Sequence, residues 1–143
     1  MKLLVLFAAM LGAMANASAA QPLYQIPDQP ETGLWVPTIV SMPQGDGRDS
    51  TFSVTVRNVD AALASSLAVS VTPNPPGAGT LSLASDTCSG ATLTKHGECR
   101  LRFDVHAACG RSGMSVWFVT VQSPGGSPVT TQVQVANKSG KCD

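Results

Sequence analysis

Leu81-Ser-Leu-Ala-Ser-Asp-Thr-Cys88-Ser-Gly-Ala-Thr-Leu93-Thr-Lys-His-Gly97-Glu-Cys99-Arg-Leu-Arg-Phe103-Asp-Val105 is the stretch whose reading decides the fold. From Cys99 onward, Cys99, Leu101, Phe103 and Val105 alternate with Arg100, Arg102, Asp104 and His106. This is the period-two pattern of a strand with one buried and one wet face, so Cys99 is expected to point inward. Upstream, Leu81 and Leu83 alternate more briefly, and turn-forming Ser-Asp-Thr and Ser-Gly end that run. Leu93 is expected to plug the core from within the loop.

Outward from this stretch, Phe52, Val54 and Val56 alternate with Ser53, Thr55 and Arg57, and Asn58-Val-Asp60 ends the strand. Leu67, Val69 and Val71 repeat the pattern until Pro73-Asn-Pro-Pro-Gly-Ala-Gly79 stops it with a rigid, donor-poor loop. Met114–Gln122 and Val129–Ala136 read as a hairpin around Ser123-Pro-Gly-Gly-Ser-Pro128. Leu34-Trp-Val-Pro37-Thr-Ile-Val40 has strand composition, but Pro37 cannot donate to a ladder, which makes it an edge or bulged strand. Gln21 to Glu31 is polar, aperiodic and Pro-containing and reads as an extended leader. The Ala-rich run from Asp60 to Ser66 is too short for an independent helix. The expected architecture is an all-β, antiparallel sandwich of six or seven strands, with sequential strands paired mostly as hairpins.

Val54-Thr-Val-Arg-Asn58-Val-Asp60, followed by Asp86-Thr-Cys88-Ser-Gly-Ala-Thr-Leu93-Thr-Lys-His-Gly97-Glu-Cys99-Arg-Leu-Arg-Phe103, resembles the bacterial immunoglobulin-like modules of the Hydin-like, choice-of-anchor kind. In those modules Thr-Cys, a few small residues, Leu, a Gly turn, Cys and an alternating strand ending in Phe follow one another. The resemblance covers roughly residues 50 to 136 and is most specific between the two cysteines. Where the modules usually continue with Pro and a Gly-led strand, Asp-Val-His-Ala-Ala-Cys109-Gly follows Phe103 here. The resemblance implies an immunoglobulin-like sandwich and a Cys88–Cys99 bridge. Closing that loop of about twelve residues contributes roughly 3 kcal/mol in the chain-entropy picture. If Gln122 faces Val129 in the hairpin, Cys109 faces Cys142, and a second bridge stapling the C-terminus would contribute roughly 4 kcal/mol.

Lys2, the apolar run from Leu3 to Met14 and the small residues Ala17-Ser-Ala-Ala20 form a secretory signal, with cleavage expected at Ala19 or Ala20. The run is shorter than the ~20 apolar residues that span a bilayer. The expected organisation is thus a signal peptide over 1–20, an extended leader over 21–33 and one β-sandwich domain over 34–143. An even number of cysteines in an exported chain reads as disulfides. The expected location is the periplasm or the exterior. Without Lys2, eight of the nine Lys and Arg remain against nine Asp and Glu, and no basic cluster stands out. That balance gives nothing to concentrate on a phosphate backbone or an anionic membrane, so nucleic acid is excluded as a partner.

The chain contains no Gly-x-Ser-x-Gly elbow, phosphate loop, His-Glu-x-x-His or Cys-x-x-Cys. Asp104, His106 and Ser112 could be drawn as a triad, but two of them alternate outward on one strand, against the geometry such sites need. His96 and His106 would need free thiolates to complete a zinc site. Asp46 and Asp49 on a Gly-rich turn supply too few oxygens for Ca²⁺. Asn137-Lys-Ser139 matches a glycosylation acceptor, which the bacterial resemblance makes accidental. No cofactor, metal or catalytic residue is therefore assigned.

The expected function is a non-catalytic binding or structural module of the bacterial envelope or exterior, adhesin-like or an assembly subunit, with an envelope or secreted protein as partner or with self-association. The alternative is a small secreted enzyme or inhibitor with a loop-borne site near 107–113. The candidate interface comes from Met114–Gln122, where both faces are apolar. The resemblance implies Trp117, Val119 and Val121 inward, which leaves Val116 and Phe118 outside, whereas the hairpin register that aligns Cys109 with Cys142 would instead group Val116 and Phe118 with Val135 and Val133. The Leu34–Val40 segment is the first candidate to cover that stripe and a second protein the other.

Overall fold

The computed structural model describes residues 21–42, 49–74, 79–108, 110 and 113–137, and among them there are nine strands and no helix. The strands are β1 (Leu23–Gln25), β2 (Leu34–Trp35), β3 (Ile39–Met42), β4 (Asp49–Asn58), β5 (Ala68–Asn74), β6 (Gly79–Asp86), β7 (Glu98–Ala107), β8 (Met114–Gln122) and β9 (Val129–Ala136). They form a five-stranded sheet, β1-β3-β9-β8-β5, and a four-stranded sheet, β2-β4-β7-β6. The second sheet has the A-B-E-D order and β5-β8-β9 the C-F-G order of an immunoglobulin-like sandwich. Only β6–β7 and β8–β9 pair sequence neighbours as hairpins, so the expectation of mostly hairpin connections is corrected. Every other connection joins a strand of one sheet to a strand of the other.

The alternation that predicted β4 and β7 is the alternation that builds the core. Val54, Val56, Leu101 and Phe103 are fully buried, and the rings of Phe52 and Phe103, directly opposite in the ladder, stack with centroids 5.2 Å apart. Val119, Val121, Val133 and Val135 of β8 and β9 close on them from the facing sheet.

Pro37 does more than demote a strand. The expected Leu34–Val40 strand divides around it: β2 pairs with β4 in one sheet, whereas β3 crosses to run parallel to β9 in the other. The buried Thr131 hydroxyl donates to the Pro37 carbonyl at 2.8 Å, satisfying an acceptor that the crossing would otherwise strand. The leader also differs from expectation. Leu23–Gln25 pairs with β3, because the crossing leaves β3 with an open edge that even three residues can extend.

Cys88 and Cys99 are bonded, tying the loop that follows β6 to the start of β7. The bridge lies within one sheet's hairpin and does not link the two sheets. Cys109 and Cys142, the expected second pair, lie outside the described residues. Within the disulfide loop Leu93 is buried, and its backbone exchanges hydrogen bonds with Ala64 at 2.7 and 3.0 Å. Buried Asn58 locks the same corner by donating to the carbonyls of Ala62 and Leu93. Asp86 starts the loop as an Asx turn, accepting from the N–H groups of Cys88 and Ser89 and from the Ser89 hydroxyl. Slight burial pushes the Asp86 carboxyl up, but those hydrogen bonds outweigh it and hold the group below its ordinary value. A depressed carboxyl stabilises the fold above its unfolded-state pKa, and that contribution is lost as pH falls through the folded-state value.

The hairpin register is one residue from the expected one, with Val121 rather than Gln122 opposite Val129. Because side chains alternate, that slip exchanges which partners share a face. Trp117 therefore faces Val133, and Ser115 faces Val135.

Candidate functional site

A groove of about 400 Å³ opens where the two sheets end unevenly. In the five-stranded sheet β1 is the edge strand outside β3, and β2 covers only the last two residues of the ten-residue β4. Tyr24 pairs with buried Val40, so its ring lies on the inward face of β1. Its hydroxyl reaches across and donates to the Ser53 carbonyl of β4 at 2.9 Å. Ile26, 58% exposed, and the half-buried Trp35 continue this apolar wall.

The polar floor comes from the solvent-facing residues of β4 and β7. Ser53, Thr55 and Arg57 meet Glu98 and Arg100 there, placed outward by the same alternation that buries Val54, Val56 and Cys99. The Arg57 guanidinium donates to the Glu98 carboxylate, with Nε at 2.7 Å, and stacks 5.8 Å from the centre of the Trp35 ring. The indole N–H of Trp35 donates to the Pro27 carbonyl at 3.3 Å. Arg57 is thereby held in place. Arg100 has no acidic partner among the described residues. The arrangement can hold an apolar side chain beside a negative one, and no histidine lines it.

The residues singled out from the sequence lie elsewhere. Asp104 and His106 are exposed on β7, and Ser112 lies outside the described residues, so no triad is assembled from described groups. His96 occupies an exposed turn at φ 62°, with its N–H donating to the Asn58 carbonyl. Asp46 is likewise outside the described residues, and Asp49 begins β4. Among the described residues no three His, Cys, Asp or Glu side chains are grouped to hold a metal ion. Asn137 is buried, its side chain accepting from the Ser115 hydroxyl at 2.9 Å.

On β8, Trp117, Val119 and Val121 are buried and Val116 and Phe118 half-buried on the other face. The Leu34–Val40 segment does not cover that outer stripe, which corrects the expectation: β2 belongs to the opposite sheet, and β3 lies beyond β9 in the same one. Phe118 sits between Thr72 and Gln132 in the ladder. Sequence reasoning missed the groove altogether. A signal was present in Tyr24, Ile26 and Trp35, three large apolar residues in or beside a segment read as a leader.

No protein-family model and no curated protein matches this chain. Among solved structures it is similar to the secreted serine protease VesC from Vibrio cholerae, with TM-score 0.59 and 14% identity over 75% of this chain and 23% of that one. A second similar structure is the VesB protease of Vibrio cholerae, with TM-score 0.48 and 22% identity over 73% of this chain and 32% of that one. A third is the ASH / PapD-like domain 7 of human CEP192, with TM-score 0.48 and 10% identity over 87% of this chain and 98% of that one. The chain spans about a quarter of the length of VesC, and at this identity the likeness is one of fold: an all-β, immunoglobulin-like sandwich.

Proposed function

We propose that this chain is a non-catalytic binding or structural module of the Hydin-like kind, exported to the bacterial envelope or exterior, where it serves as an adhesin-like or assembly subunit for another protein. The observation that carries this reading is the groove beside β4. Its wall is aromatic and aliphatic, and its Arg57–Glu98 pair is already matched, so it offers contact surface rather than a nucleophile beside a base. The buried Cys88–Cys99 bridge supports export, because such bonds persist in oxidising compartments. A similar sandwich within a protein described as secreted agrees with that.

The test is recovery of a partner by the tagged, oxidised protein from the envelope fraction of the parent cell. His106→Ala and Ser112→Ala variants should recover it as wild type does. Loss of an identified activity in either variant, with the fold unchanged, would favour the competing reading of a small secreted enzyme or inhibitor with a site near 107–113.

Val116 and Phe118 are proposed as a second part of the interface. Phe118→Ser is expected to weaken partner binding or self-association while moving the melting temperature by no more than ~5 °C, since a half-buried ring loses only part of its transfer free energy. Calorimetry beside a binding assay checks this. A large fall in melting temperature with association unchanged would place Phe118 in the core.

A further inference from the structure

β4 has ten residues and pairs along nearly all of them with β7, yet on its other side β2 reaches only Arg57 and Asn58. The backbone directions on that side can be read residue by residue. Asn58 donates to Gly97 and accepts from His96, toward β7, whereas Val59 donates to Gly33, toward β2. Peptide groups alternate along a strand, so those of Thr51, Ser53 and Thr55 point to the β2 side. The Tyr24 hydroxyl on the Ser53 carbonyl agrees with this direction. No described residue completes the ladder there. Among the described residues the groove thus lies where a further strand would continue the line of β2 after the chain leaves at Pro37.

We infer that this free edge is a strand-addition site for an extended, acidic segment of a partner protein, an inference that rests on the reading of the chain as a binding module. Two observations select that occupant. Inward residues of an added strand would meet Tyr24 and Ile26, which calls for apolar side chains at alternate positions. Outward residues would lie beside Thr55, Arg57 and Arg100, with Glu98 the only acidic group among the described residues lining the groove, so an acidic residue is matched there. Main-chain pairing would supply affinity and these two faces specificity.

The probe is the peptide acetyl-Thr-Val-Glu-Val-Thr-Val-amide, titrated into the oxidised chain and followed by amide NMR shifts. Binding is expected to shift Thr51, Ser53 and Thr55, and methylating the edge-facing peptide nitrogens should abolish it. Replacing Glu by Lys in the probe should weaken binding about tenfold, and Arg100→Glu should reverse that preference. Tyr24→Phe keeps the wall and frees the Ser53 carbonyl, so it should bind the probe more tightly. Binding unaffected by N-methylation, shifts confined to other strands, or no binding at ~1 mM probe, a Kd worth only about 4 kcal/mol, would overturn the site. Concentration-dependent self-pairing through the same amides would overturn the choice of occupant. A cellular partner retained equally by wild type and Arg100→Glu, with the probe inactive, would leave the module reading standing and remove this one.

Discussion

Phe103→Ala is expected to lower the free energy of unfolding by about 3–5 kcal/mol, the range for an aromatic ring deleted from a packed core. Phe103 is fully buried at the centre of β7, with Phe52 opposite it on β4 and Leu83 opposite it on β6. With paired strands on both sides, the backbone cannot collapse into the cavity, so the transfer and cavity contributions add. Single domains are typically stable by only about 5–15 kcal/mol, so the variant should sit near the limit of folding. Urea denaturation measures the effect, and Leu83→Ala is the control. Leu83 is 40% exposed on an edge strand, and its truncation should cost less than half as much. Equal losses would mean that the two strands do not differ in packing as their burial implies.

Removing the bridge as the double variant Cys88→Ala, Cys99→Ala is expected to cost about 3 kcal/mol, from the loop-closure entropy returned to the unfolded chain. The sequence separation is 11 residues, and the loop it closes carries buried Leu93, whose carbonyl accepts from the Asn58 side chain. Loosening it therefore reaches the far end of β4 as well as the hairpin. The double substitution is the cleaner test, because reduction would also act on Cys109 and Cys142 if they are bonded. Denaturant midpoints in oxidising buffer give the value. A loss below ~1 kcal/mol would show that the Asp86 turn and the Ala64–Leu93 backbone bonds hold the loop without the covalent link.

Val54, Leu101 and Phe103 were legible as core residues because alternation is a local property: a side chain's face follows from its parity along the strand, whatever the strand pairs with. The same reasoning placed Cys99 inward, Leu93 was expected in the core as an apolar residue within a loop, and the structure has both buried. It was weaker wherever parity gave no contrast. On β8 both sets of side chains are apolar, and the hairpin register derived from the cysteines was one residue away from that observed. Burial of Trp117 rather than Phe118 follows from the opposite sheet, whose core residues must be met by one face of β8 and not the other.

Pro37 marks the boundary between the two kinds of information. Its missing N–H was enough, from the sequence alone, to make Leu34–Val40 an edge or bulged strand, but not to divide it. That the chain then crosses to the other sheet depends on the edge of β9 being open and on Thr131 standing ready for the Pro37 carbonyl, contacts made across more than ninety residues. The groove beside β4 is one step further removed. It exists because β2 ends early while β1 extends the facing sheet, so it belongs to no local pattern. Residue alternation and turn chemistry determined the principal strands and the buried faces of β4 and β7, because those preferences act between neighbours in sequence. Strand order, the leader's place in a sheet and the β4 edge left open among the described residues were decided by the tertiary structure, because which backbone groups pair depends on all the strands together.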